Sequence, residues 1–106
     1  MQVLTSEELR EKINSGEKFI VDMYADWCGP CRILGPIVER VSQKLQEEGS
    51  EVSVYKFDIE SDKQIAMELG VRSIPTIKAF KGGELVETKV GVLQESQLME
   101  FAKSII

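Results

Sequence analysis

The chain has 106 residues, 42% of them hydrophobic and 29% charged, with three prolines and eight glycines; one domain spanning residues 1–106 is expected, large enough to build a core without staples. Its 13 basic and 18 acidic residues leave a net charge of −5, which excludes nucleic acid as a general partner, because phosphate recognition needs a basic footprint. No apolar run approaches the ~18 residues of a membrane span, and with no histidine and two cysteines histidine-assisted mechanisms and most metal sites fall away.

Met1-Gln2-Val3-Leu4-Thr5 has no basic region followed by an apolar one, so no export signal is read and a cytoplasmic location is expected. Thr5-Ser6-Glu7-Glu8 is a capping box opening a helix. Leu9 and Ile13 share the buried face of that helix, and Gly16 ends it. Phe19 to Ala25 is an almost unbroken apolar run of strand length. Both its faces should be covered, which makes it the central strand.

The next helix opens at the cysteine pair and runs to about Glu47. Ile33, Leu34, Ile37, Val38, Val41 and Leu45 form its apolar stripe, and Pro36 inside it should bend it. Val52 to Ile59 is a second strand. Ser61-Asp62-Lys63-Gln64 caps a short helix ending at Gly70. Ile77–Phe80 and Leu85–Val90 flank Gly82-Gly83, the signature of an antiparallel hairpin. Leu98, Phe101, Ala102 and Ile105 give the last helix its buried face. Helices alternating with strands throughout predict an α/β domain.

Trp27-Cys28-Gly29-Pro30-Cys31 lies between the central strand and the long helix. At a helix N-terminus, free amides and the helix dipole favour an anionic sulfur, and the thiolate is the reactive form. Pro30 suits the first helical turn, where its missing N–H forfeits nothing. Cys31, three residues on, returns to the same side and within disulfide reach. Two bland roles compete with redox chemistry. Zinc needs about four ligands, and the chain supplies neither a third cysteine nor a histidine. A static disulfide closing so small a loop constrains the unfolded chain little. Redox exchange is the better assignment.

This signature resembles that of the thioredoxin family. The likeness extends over nearly the whole chain, through Asp22 six residues before Cys28, Pro36, Ile74-Pro75-Thr76 and Lys81-Gly82-Gly83. It implies a thioredoxin fold: a central mixed sheet of five strands flanked by four helices. It also implies a reaction, in which Cys28 attacks a disulfide in a partner protein and Cys31 resolves the mixed disulfide.

By the same resemblance, Asp22 accepts the proton of Cys31 through a water, Lys56 moderates the charge of Asp22, and Ile74-Pro75 is cis. Ile74 then offers backbone to an extended substrate, and Trp27, Gly29, Pro30, Pro75, Val90, Gly91 and Val92 surround Cys28. The plainer alternatives are a solvated Asp22, a solvated Lys56, a turn proline at position 75 and a core aromatic at position 27. Tyr24 stands where the family often has a second tryptophan, Ser73 where a glycine is frequent, and Gln94 where a better helix cap is common, so the last helix should fray at its start.

Gly29-Pro30 offers no histidine cation to stabilise the thiolate, which favours a reductant over an oxidising foldase. No dinucleotide fingerprint is present, so no bound cofactor is expected. Electrons should come from another protein, by resemblance an NADPH-dependent flavoprotein reductase. A monomer is the default. The competing class is a non-redox binding or scaffold module that keeps the fold and the groove.

Overall fold

The structure is a computed structural model that describes residues 1–105. Along the chain run α1 (Ser6–Asn14), β1 (Phe19–Tyr24), α2 (Gly29–Glu47), β2 (Ser53–Asp58), α3 (Lys63–Glu68), β3 (Thr76–Lys81), β4 (Glu84–Val90) and α4 (Glu95–Lys103). The strands form one mixed sheet in the order β2-β1-β3-β4. β1 is parallel to β2 and antiparallel to β3, which is antiparallel to β4. None of the described helices is long and apolar enough to cross a membrane.

The expected fifth strand is absent from the described sheet, which has four. The N-terminal segment adds one parallel bridge, Val3 to Lys56, through the Leu4 N–H to the Lys56 carbonyl (2.8 Å) and the Lys56 N–H to the Gln2 carbonyl (3.1 Å). Its brevity has a local cause. The Thr5 hydroxyl accepts the Glu8 N–H at 3.1 Å while the Glu8 carboxylate accepts the Thr5 N–H at 2.8 Å, so the chain turns into α1 before a ladder of typical strand length can grow.

β1 is buried on both faces, as its composition requires. Ile20 joins Leu34, Val38, Val41, Ile77, Leu98 and Phe101 beneath α2 and α4. Phe19, Val21 and Met23 join Leu9, Phe57, Ile65 and Phe80 on the opposite face, where the Phe19 ring stacks on Phe80 with centroids 5.0 Å apart. Alternation along one strand thus feeds two cores.

Three local expectations need correction. Ile33 is 63% exposed; it sits about 100° around the helix from buried Leu34 and turns away from the sheet. α3 is capped by Asp62 rather than Ser61, its Oδ1 accepting from the Gln64 and Ile65 N–H groups at 3.1 and 3.2 Å. The Ser61 hydroxyl instead donates to the Asp58 carbonyl at 2.6 Å, closing the turn after β2. At α4 the Gln94 N–H donates to the Gln97 side chain at 2.9 Å, so the start expected to fray is held by an amide box.

α2 runs unbroken through Pro36. The Gly82-Gly83 turn has φ of +63° and +83°, the left-handed pair that matches the twist of a two-residue hairpin. Register shifts at Ala79/Phe80, where β4 carries one extra residue.

Candidate active site

Because β1 and β2 are parallel, both end at the same edge of the sheet, and the turn after β1 delivers Cys28 to the start of α2. Cys28 is the N-cap of that helix, in extended conformation. Its Sγ accepts the Cys31 N–H at 3.2 Å, as a capping oxygen would. No acidic residue lies in the first turn of α2, so no side chain of that turn offsets the positive end of the dipole beside this sulfur. Cys28 and Cys31 are joined as a disulfide with Cα atoms 5.2 Å apart. Each cysteine is 5% exposed, while Gly29 and Pro30 between them are exposed.

Asp22 stands on β1, six residues before Cys28. It is 1% exposed, and neither of its carboxylate oxygens has a hydrogen-bond donor among the described residues. Burial therefore disfavours its charged form and raises its pKa to about 6, against a smaller opposing pull from Lys56. Asp22 and Lys56 are register partners on β1 and β2, so their side chains share the face that α2 covers. Lys56 Nζ stands 4.6 Å from the centre of the Tyr24 ring. It also lies under Gly35, where an added Cβ would meet Nζ at 3.6 Å. A cleft of about 300 Å³ brings Cys31, Tyr24, Gly35, Pro36 and Lys56 together. The solvated alternative for Asp22 does not survive this burial.

On the other side of Cys28, the Ile74-Pro75 bond is cis, and the Ile74 carbonyl oxygen is 3.8 Å from Cys28 Sγ. Pro75 is buried, and its carbonyl accepts the Gly91 N–H at 2.9 Å. Val90 pairs with Thr76 in the next strand, which brings the 90–92 segment beside Pro75. Trp27, Val90 and Val92 are exposed, by 65%, 64% and 42%. A shallow cleft of about 260 Å³ between Trp27 and Ile74 is lined also by Ile59, Val71, Arg72 and Ser73. Trp27 is thus on the surface, and the core alternative for it falls.

Two residues here were not singled out in the sequence. Glu60 accepts the Trp27 indole N–H at 2.6 Å and pairs with Lys63 at 3.2 Å. The Trp27 bond first, and then Lys63, lowers its pKa. Tyr24 was noted only as a departure, yet its ring lies against Lys56. One signal could have reached Glu60: it follows the strand parallel to β1, and so must emerge near Trp27. Among the described residues no group of histidine, cysteine, aspartate and glutamate could hold a metal ion.

The family model described as Thioredoxin matches residues 1–104. A thioredoxin of Rickettsia conorii is 38% identical over 104 residues, covering 98% of this chain and 96% of the relative. One of Rickettsia bellii is 42% identical over 96 residues, covering 91% and 89%. Among solved structures, a thioredoxin of Plasmodium falciparum superposes with a TM-score of 0.88 at 27% identity, with both chains fully covered. A mutant thioredoxin of Halobacterium salinarum gives 0.85 at 32% identity, covering 98% of this chain and 88% of that one. Sequence, fold and a cysteine pair bonded at a helix start agree: this chain belongs to the thioredoxin family of thiol–disulfide oxidoreductases.

Proposed function

We propose that this chain, acting as one domain and one copy, reduces disulfides of partner proteins, with Cys28 as nucleophile and Cys31 as resolving thiol. The observation that carries the assignment is that Cys28, and not Cys31, occupies the N-cap of α2. There the helix amides and dipole stabilise the thiolate.

The Cys28 thiolate attacks one sulfur of the substrate disulfide, forming a mixed disulfide and expelling the other sulfur as a thiolate. Cys31 then gives its proton to Asp22 through a water in the adjoining cleft, and its thiolate attacks Cys28 Sγ. The second substrate thiolate leaves, Cys28–Cys31 is oxidised, and two electrons have passed to the substrate. A carboxyl with a pKa near 6 is ionised enough at neutral pH to take that proton and basic enough to hold it. Tethering makes the second attack intramolecular, so the intermediate need not accumulate.

Trp27, Gly29, Pro30, Ile74, Pro75, Val90, Gly91 and Val92 form the contact rim, with the Ile74 backbone pairing to an extended substrate segment. Lys56 tunes Asp22. The family implies both disulfide-bearing protein substrates and reductase partners; we assign the reductase to the NADPH-dependent flavoprotein class and the location to the cytoplasm. The reducing direction is supported by Gly29-Pro30, which places no cation between the cysteines. No observation favours a non-redox scaffold.

Reduction of insulin disulfides with a dithiol donor tests the assignment. The wild-type chain is expected to catalyse it and Cys28→Ser to be inactive, while Cys31→Ser should trap a covalent complex with substrate. Equal rates for wild type and Cys28→Ser would overturn the proposal.

A further inference from the structure

β4 closes the sheet order β2-β1-β3-β4, and all seven of its residues are exposed. It contains no proline, so every backbone group along its outer edge can pair. The Gly91 N–H bonds to the Pro75 carbonyl, and the register runs Thr76–Val90, Ile77–Lys89, Lys78–Thr88, Ala79–Glu87. In an antiparallel ladder the inward-bonding residues alternate. Gly91, Lys89 and Glu87 therefore turn their backbone groups toward β3. Thr88 and Val90 turn theirs outward, free to bond another strand.

The side chains on this edge read Val86-Glu87-Thr88-Lys89-Val90. About Thr88 the order is self-complementary, with a valine at each end and opposite charges on either side of the centre. We infer that two copies of this chain pair edge to edge through β4, antiparallel, about a two-fold axis at Thr88. Thr88 of each copy exchanges backbone bonds with Thr88 of the other, as its outward groups allow. Glu87 then faces the second copy's Lys89 twice over.

Other centres fit worse. A two-fold at Glu87 or at Lys89 sets like charges directly opposite, which destabilises strand pairing. Centring on Val90 instead leaves Glu87 and Lys89 without opposite charges and runs the pair past the strand end at Gly91. Glu87 and Lys89 already share a face, 3.4 Å apart, so in the pair each ammonium lies between two carboxylates. Val90 is 64% exposed, and pairing covers it. Charged residues on an edge strand ordinarily deter association; here their order selects a second copy of the same strand. A net charge of −5 on each copy opposes approach and keeps the pairing weak and concentration-dependent. Val90 also belongs to the rim around Cys28, so the paired form partly shields the proposed docking face.

Sedimentation equilibrium of the full chain, from micromolar to millimolar concentration, tests this. A monomer–dimer equilibrium is expected. Glu87→Lys and Lys89→Glu should each weaken it about tenfold, because each sets two like-charged pairs across the axis. The exchange of both residues, Glu87→Lys with Lys89→Glu, should restore the wild-type constant. Neither residue lies on the proposed docking rim, so insulin reduction at dilute concentration is expected to match wild type in all three variants and reports that they are folded. A wild-type chain that stays monomeric throughout, or a dimer whose constant ignores the charge exchange, overturns the inference.

Discussion

Asp22→Asn separates what the buried carboxyl does for function from what it costs the fold. Its pKa is raised from 3.8 to about 6, chiefly by burial. Folding thus favours the neutral acid, and the stability this confers is complete below the unfolded value and lost as pH rises through the folded one. A shift of this size corresponds to about 3 kcal/mol once the group is fully ionised in the native state. Asparagine carries no charge at any pH. The variant should therefore be more stable than wild type by about 3 kcal/mol at pH 8, with the gap closing toward pH 4. Urea denaturation followed by circular dichroism at several pH values reads the gap directly, with unchanged slope and displaced midpoint. The same variant should release the mixed disulfide more slowly between pH 6 and 8 while leaving the first attack nearly intact. A stability difference that stays constant from pH 4 to 8, or a variant less stable at pH 8, would refute the burial argument. Unchanged release would refute the proton-acceptor role.

Lys56→Met removes the one group that pulls the Asp22 pKa down, so the carboxyl should titrate higher than in wild type by NMR, and the loss of stability should begin at higher pH. Glu60→Ala deletes the partner of the Trp27 indole. Because Trp27 is the single tryptophan, its fluorescence should report a freer ring, with KM for a protein disulfide raised several-fold and kcat little changed; kcat falling instead of KM rising would argue against a positioning role. Gly83→Ala places a side chain at φ +83°, with its Cβ 3.4 Å from the Ile13 carbonyl oxygen. It should destabilise the chain by about 1–2 kcal/mol in denaturant titration, with activity per folded molecule retained.

The order of elements, the central strand, the hairpin and the placement of Cys28 at a helix start were all legible in the sequence. Each depends on local physics: apolar periodicity, capping residues, a glycine pair and the lone N–H that proline lacks. Thr5 and Glu8 cap α1 as their spacing requires, and residues 19–24 form a strand covered on both faces. The exposed Ile33 shows the limit of such reasoning, since a pattern says which residues can face inward but not which neighbours will arrive to cover them; the fifth strand, implied by the family resemblance and not by the local pattern, is absent from the described sheet.

Tertiary structure alone decided the chemistry around the sulfur. Asp22 becomes a weak acid because α2 closes over its strand and no donor among the described residues reaches its oxygens. Trp27 is steadied by a residue 33 positions away, and Ile74 comes to Cys28 across 46. Desolvation and long-range contact belong to the packed molecule: the free energy of a charge or a ring depends on what surrounds it, and only the folded chain supplies those surroundings.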